Sequence, residues 1–409
     1  MQTAFKILAG FVLVKVVALA AGPQGVAQLG QFQNLVAVMA VLSGGMFYTG
    51  VTKLVSERVE DHGKASAVIY AALRASLFCF AGLVIVVALW YKEIAAAVLK
   101  NASLEAFVII LPILVFLSVL YGLWLAVLNG FSRVRELVLA SIAASLLMIA
   151  LTIALALPFG EVGAYVAILA PPAIVLIFLF GRWFSQQECA RFLADAKDSP
   201  PYRELGRFAL MGLVSAVAAP LAQMAMREYL VDHLSLTEAG IWQGVTRISE
   251  VYLVFITSSL SVYFLPRLAQ AKSNQELVDL LVGVLKLAVP VSLLLGVVIY
   301  LCRDLLIWLL FTPQFSSMRD LFFWQVAGDM VKIVSWVFAY IVLVRGSAWV
   351  FVIGEVVFSI SYPLLGFIFV PEHGLQGAVA AYGVNYIFYF AYVAIAVYMV
   401  VVIAGNKHE

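Results

Sequence analysis

The sequence predicts an all-α polytopic membrane protein of about twelve transmembrane helices, arranged as two six-helix halves. Three observations carry this. Of the 409 residues, 64% are hydrophobic and only 12% charged, whereas soluble domains are roughly half apolar and about a quarter charged. Apolar stretches of about 20 residues recur from end to end, each long enough to cross roughly 30 Å of hydrocarbon. The alternating signature of a membrane β-barrel is missing, and helix is then the structure that satisfies every backbone group inside lipid.

Breaking the chain at Gly/Pro turns and charge clusters gives the elements in order. The first run, 3–21, ends in the small residues Ala20 and Ala21 but carries Lys15 at its middle and is followed at once by more spans, so it reads as a transmembrane helix and not a signal peptide. The second, 32–52, is softened by Gly44, Gly45 and Gly50. The third follows at 67–91, the fourth at 104–129 with Pro112 inside it, the fifth at 137–158 and the sixth at 161–181 with Pro171 and Pro172. A polar connection with Pro200 and Pro201 then separates an N-terminal six-helix bundle, 1–181, from a C-terminal one, 205–409, with 182–204 as a cytoplasmic linker. The second half runs through spans 205–231 (Pro220), 240–264, 278–302 (Pro290), 320–344, 347–370 (Pro363) and 374–404. The prolines remove backbone hydrogen bonds and bend helices, in moving transporters and static bundles alike. Hydropathy and composition show no residue-level repeat between the halves.

An even number of spans puts both termini on one side. With the N-terminus inside, Lys6, Lys53, Arg58, Lys64, Arg133, Arg135, Arg182, Arg191, Lys197, Arg203, Arg207, Arg267, Lys272, Arg345 and Lys407 fall in the cytoplasm, and Lys92, Lys100, Arg303 and Arg319 fall outside. That asymmetry fixes the orientation by the positive-inside rule, with both termini on the cytoplasmic side.

Composition also excludes. A net charge of +2 gives no basis for nucleic-acid binding. Cys79, Cys189 and Cys302 are widely separated and read as packing residues, and His62, His233, His373 and His408 lie in loops or at the tail without metal-like spacing. No metal, cofactor or catalytic residue is expected. The outer loops are short, which argues against a membrane enzyme.

Charges inside spans carry the functional signal, because each costs roughly 2.5–3.5 kcal/mol at mid-membrane and therefore usually faces a partner or a wet cavity. Lys15, Arg74, Arg227, Arg247, Lys286 and Lys332 are the basic set. Arg227, near an outer end, and Lys286, near an inner face, are read as snorkelling. The acidic set, Glu250, Asp329 and Glu355, lies in the second half, which leaves the first half with a positive interior and no carboxylate beyond Glu105. Gln243, Arg247 and Glu250 follow a four-then-three spacing on one helix face; Gln325, Asp329 and Lys332 repeat it with the charges reversed. Two readings compete: helix-internal ion pairs, Arg247 with Glu250 and Asp329 with Lys332, or stripes that line a water-filled cavity.

Three stretches carry a resemblance: AGPQGVAQLGQFQNLVAVMAVLSGGMFYTGVTKLV (21–55), GIWQGVTRISEVYLVFITSSLSVYFLPRL (240–268) and MRDLFFWQVAGDMVK (318–332). They resemble the Wzx-type polysaccharide flippases of the multidrug/oligosaccharidyl-lipid/polysaccharide (MOP) exporter superfamily, most of all those acting on lipid III of enterobacterial common antigen. The resemblance implies two six-helix bundles around a central cavity, opened alternately to either side. It also implies undecaprenyl-diphosphate-linked glycan as substrate, within membrane lipid, by a functional monomer that hands its product to downstream polymerase and chain-length machinery. Lys15, Arg247 and Lys332 become candidate diphosphate ligands, with Arg74 resting on its charge alone. Glu250, Asp329 and Glu355 become cavity carboxylates and candidate proton sites. Asn34, Gln243 and Gln325 are candidate glycan contacts, and Gln31, Gln33, Tyr252 and Asn385 extend that set. The lead before the first span looks short for this family, which implies a short first helix or a start further upstream. A cation-extruding drug exporter of the same superfamily would want an acidic first-half cavity, and a peptidoglycan-precursor flippase would want the same basic one.

Overall fold

The computed structural model describes residues 2–183, 201–271, 273–345 and 348–399. Among them every regular element is helical. The elements are α1 (Gln2–Leu42), α2 (Tyr48–Ser56), α3 (His62–Glu93), α4 (Glu105–Gly130), α5 (Val134–Leu151), α6 (Leu157–Trp183), α7 (Tyr202–His233), α8 (Leu236–Gln270), α9 (Asn274–Leu301), α10 (Arg303–Leu310), α11 (Phe322–Arg345), α12 (Ala348–His373) and α13 (Leu375–Tyr398). Most of the expected linker, with Cys189, and the tail with His408 lie outside the described residues.

Nine helical runs among the described residues are long and apolar enough to span a membrane. Two are double length, Gln2–Leu42 with 41 residues and Val134–Phe178 with 45, where about 20 suffice. Each is broken once by a glycine in the left-handed region, Gly22 at φ 62° and Gly160 at φ 58°, a backbone state that side chains disfavour. With these counted as pairs and the 35-residue α8 added, the twelve crossings of the sequence prediction are recovered. The second crossing starts at Pro23, well before residue 32. The polar run Gln24 to Gln31 looks like a loop in sequence but is helical, because its glutamines find partners: Gln24 Nε2 donates to Thr237 Oγ1 at 3.4 Å, and the Gln28 amide nitrogen lies 3.1 Å from Glu161 Oε2.

The chain divides into two compact units. One holds Met1–Ala21 and Gln28–Pro220; the other holds Gly22–Ala27 and Leu221–Glu409. In the second unit the short Gly22–Ala27 segment packs on the first turns of α8, where any side chain at Gly240 would collide with the Pro23 carbonyl.

Lipid tails are as apolar as leucine, so helices in lipid associate through close packing of small residues and hydrogen bonds more than through hydrophobic burial. In the first unit, α2 lies on a small-residue stripe of α4, Gly122, Ala126 and Gly130. A Cβ at Gly122 would strike the Tyr48 ring, and one at Gly130 would strike Val55. The same approach lets Tyr48 Oη donate to the Val119 carbonyl at 3.2 Å and Thr52 Oγ1 to that of Ala126 at 3.2 Å. Gly44, at φ 128° and pressed against Ser76, makes the break between α1 and α2.

In the second unit α11 crosses α13 where Gly328 meets Tyr382 and Gly383. The apolar core below joins Phe264 and Leu268 of α8, Leu277 of α9, Val337 and Ile341 of α11, and Val397 of α13. Ser235 and Ser273 cap α8 and α9, accepting from the backbone N–H of Glu238 at 3.0 Å and Glu276 at 3.1 Å, the S-x-x-E capping pattern.

A short repeat between the halves emerges at the start of α6 and the start of α13. Gly160-Glu-Val-Gly163-Ala164 matches Gly374-Leu-Gln-Gly377-Ala378, each with a proline two or three residues before it. Gly374, at φ 55°, repeats the left-handed turn of Gly160. A Cβ at Gly163 or Gly377 would collide with a carbonyl of the preceding helix, Leu155 or Phe369. Two hairpins thus use one device, hidden in sequence because only the backbone-critical positions match.

Candidate functional site

The charged positions of the second unit assemble into one polar seam along α7, α8, α11, α12 and α13. At its centre is Asp329, with no exposed surface. Its carboxylate accepts from Ser249 Oγ at 2.6 Å, from Tyr382 Oη at 2.7 Å, from Gln325 Nε2 at 3.4 Å, and from Tyr252 Oη. The Gly328 contact brings Tyr382 within reach, and the helix period brings Ser249 and Tyr252 to one side of α8. An unpaired carboxylate in lipid would be prohibitive, and four donors replace its water.

One turn on, Lys332 sits among rings: Nζ is 4.9 Å from the Tyr386 centroid, 5.0 Å from that of Trp336 and 5.4 Å from that of Tyr382. Ring faces carry negative quadrupole, and such contacts gain about 2 kcal/mol or more when desolvated. Glu355 on α12 accepts from Tyr389 Oη at 3.2 Å, which extends the seam along α13.

Towards α7 the seam opens. Arg247 and Glu250 pair at 3.0 Å with 28% and 34% of their side-chain surface exposed, and Gln223 Nε2 donates to Glu250 at 3.2 Å. Arg227 lies deeper. It is 2% exposed, donates to the Gln243 amide oxygen, and has its guanidinium 5.5 Å from the Trp242 ring. The snorkelling reading of Arg227 therefore fails, since Gln243 and Trp242 give it an internal partner. Lys286 on α9 is exposed.

Of the two expected ion pairs, Arg247 with Glu250 forms and Asp329 with Lys332 does not; three hydroxyls and an amide take the place of the second. Gln243 and Gln325 are 5% and 3% exposed and are bonded within the seam. Asn385, buried, accepts from Ser361 Oγ at 2.6 Å and donates to the Phe358 carbonyl at 3.1 Å.

In the first unit Lys15 and Asn34 of α1 are half-buried, and Arg74 of α3 is exposed with its guanidinium 6.0 Å from the Phe78 ring. Sequence reasoning missed Glu161. It is half-buried beside Gln28 and adds a carboxylate to a half expected to hold none beyond Glu105. Next to it Phe32 and Tyr165 stack at 3.9 Å, with Phe107 at 6.0 Å from both. Glu161 was overlooked because it stands at a span boundary, where charges are ordinary.

Chemically, the seam offers a cation on an exposed edge, a caged second cation, and a wall of tyrosines. Arginine binds phosphate oxygens through paired N–H donors, and aromatic faces pack on sugar rings.

No family model matches the chain. Solved transporters share its fold. A multidrug-resistance MATE family transporter of the MOP superfamily, in an inward-facing conformation, superposes with a TM-score of 0.83 at 17% identity over 100% of this chain and 96% of that one. The lipid II flippase MurJ, in an inward closed conformation, gives 0.73 at 14% identity over 97% and 86%. Fold and buried charges together define a polytopic helical membrane protein with the fold of these transporters. Among curated proteins, the lipid III flippases of Escherichia coli (strain K12) and Shigella flexneri are each 32% identical to it over 405 residues, 95% of this chain and 94% of theirs. The chain belongs to the lipid III flippase family.

Proposed function

We propose that this protein moves an undecaprenyl-diphosphate-linked oligosaccharide, lipid III of enterobacterial common antigen, from the cytoplasmic to the periplasmic leaflet of the inner membrane by alternating access. The observation that carries the reading is identity along nearly the whole chain to two lipid III flippases. The polar seam supports it, since a diphosphate crossing lipid needs groups that substitute for water. Arg247 contacts the diphosphate, assisted by Lys332 and, from the first half, Lys15 and Arg74. Glu250, Asp329 and Glu355 hold these cations or carry a proton during the cycle. Asn34 meets the glycan, whereas Gln243 and Gln325 act through the residues they bond. Residues 1–181 and 205–409 form the two six-helix halves, both termini are cytoplasmic, and the monomer delivers its product to polymerising and chain-length machinery. A second lipid-linked glycan, an O-antigen unit or peptidoglycan precursor, is the alternative, favoured by the fold likeness to a lipid II flippase.

The test is complementation of a strain lacking its lipid III flippase, with membrane levels checked. Wild type is expected to restore surface glycan and Arg247→Ala to fail. Wild type that is present in the membrane yet inactive would reject lipid III as substrate. Arg247→Ala as active as wild type would remove Arg247 from the site.

A further inference from the structure

Arg247 and Glu250 differ from the other charges of the seam in what holds them. Asp329 is held by hydroxyls and an amide, Glu355 accepts from the Tyr389 hydroxyl, and Lys332 sits among rings. Glu250 instead meets a cation directly, Oε2 to Arg247 Nη1 at 3.0 Å, and this pair is about a third exposed where Asp329 and Arg227 are buried. α7 faces the Gln243-Arg247-Glu250 stripe with Gln223 and Arg227, one turn apart. Arg227 donates to Gln243, and Gln223 Nε2 donates to Glu250 Oε1 at 3.2 Å. The two oxygens of Glu250 thus have separate holders, a guanidinium on its own helix and an amide on α7.

Carboxylate and phosphate oxygens take the same guanidinium N–H donors, so a diphosphate that takes Arg247 Nη1 displaces Glu250 Oε2. An exposed ion pair contributes little stability. The displacement is therefore easy, and Gln223 keeps Glu250 bonded while it lasts. One turn of helix tethers Glu250 to Arg247, so the carboxylate stays at high effective concentration and retakes the guanidinium when the phosphate leaves. The Glu250 charge also acts on Arg227 and Lys332. One carboxylate therefore opposes an anion at each of three cations, and like charges brought close weaken binding.

We infer that Glu250 is a built-in competitor for the diphosphate of the substrate: it occupies Arg247 in the empty site, yields it on loading and drives release by taking it back. The inference rests on the proposed function and names the group that ends the contact between Arg247 and the diphosphate. A purely structural pair makes the opposite prediction, since loss of Glu250 would then let Arg247 stray and weaken binding.

The experiment uses full-length protein in vesicles of phosphatidylethanolamine and phosphatidylglycerol. The probe is undecaprenyl diphosphate bearing one N-acetylglucosamine, with equilibrium binding and flipping measured in the same preparation. Glu250→Gln and Glu250→Ala should both bind the probe about tenfold more tightly, or about 1.4 kcal/mol, and flip it more slowly at saturating lipid. Asp279→Asn, which removes an exposed carboxylate of α9, should change neither. In an Arg247→Ala background Glu250→Gln should alter affinity by no more than about twofold, because the guanidinium under competition is gone. Flipping by wild type with unchanged or weaker binding in both Glu250 variants overturns the competitor and leaves the proposed function standing. Tighter binding without slower flipping, an equal gain in Asp279→Asn, or an undiminished gain without Arg247 does the same. Failure of wild type to bind and flip the lipid overturns the proposed function and this inference with it.

Discussion

Asp329 accepts from Ser249, Tyr252, Gln325 and Tyr382 with no exposure to solvent. Asp329→Ala leaves these donors without an acceptor in a place where water cannot replace it. Each unsatisfied buried group costs about 1–3 kcal/mol, so the expected loss is about 3 kcal/mol or more. Asp329→Asn keeps one carbonyl acceptor, and its amide can donate to hydroxyls that rotate to receive it; a loss of about 1 kcal/mol is expected. Thermal unfolding of the purified variants in one detergent measures both. Asp329→Ala as stable as wild type would mean that the hydroxyl cluster is not a packing centre. Arg247 differs in kind: its pair with Glu250 is about a third exposed, and such pairs add little stability. Defects from Arg247→Ala should therefore appear in transport and not in unfolding.

At the scale of elements, glycines decide which helices can touch. Gly122 faces the Tyr48 ring, so Gly122→Leu must push α2 off α4 and break the Tyr48 and Thr52 bonds to its carbonyls. Overpacking costs about 1–3 kcal/mol and each lost bond about 1 kcal/mol. Protease nicking in the α2–α3 turn should rise clearly, while Gly82→Leu in open space leaves it unchanged; equal nicking in both would refute the close approach. The N-terminus of α3 titrates. Its cap, Asp61, accepts from the Lys64 backbone N–H at 3.1 Å and pairs with Lys64 Nζ at 2.9 Å, and the bonds to Lys64 hold its carboxyl below the usual carboxylate range. A lowered folded value means the cap contributes above the unfolded value of about 3.9 and is lost as pH falls through the lower folded one. Amide exchange, corrected for intrinsic pH dependence, should show less protection in the first turn of α3 at pH 3 than at pH 6, and Asp61→Asn should abolish the difference. The hydropathy of α4 was legible in sequence; its Gly122-Ala126-Gly130 seam was not, because small residues in an apolar run look the same whether they face lipid or another helix. The Gly160 and Gly374 turns were missed for a related reason: only φ marks them, and φ is not written in hydropathy.

Across the whole molecule, number and kind of helix follow from composition, since lipid admits little else. The partners of the charges do not, because they come from other helices: Asp329 and Lys332 look like an ion pair in sequence until Tyr252, Tyr382 and Tyr386 are brought in by α8 and α13. Orientation is the property that charge predicts at this scale. In the first unit Arg58 Nη2 pairs with Glu204 Oε2 at 2.6 Å, so the α2–α3 turn and the start of α7 share one end, the arrangement that an even count of crossings between them requires. In the second unit Arg319 pairs with Asp304 at 3.2 Å, which joins the start of α10 and the turn before α11 at one end. The first end carries Lys53, Arg58, Lys64, Arg203 and Arg207 in short connections, the kind the positive-inside rule counts. Single cysteines in a background lacking Cys79, Cys189 and Cys302 test the orientation. At Ser103, between α3 and α4, and at Ser316, before α11, a membrane-impermeant maleimide should label intact spheroplasts; at Glu57 and Ser132 it should label only after lysis. The reverse pattern would put Lys53, Arg58 and Arg133 outside, so substrate loading would begin at the opposite end of the seam and the assigned direction of transport would fall, with every intramolecular contact left as it is.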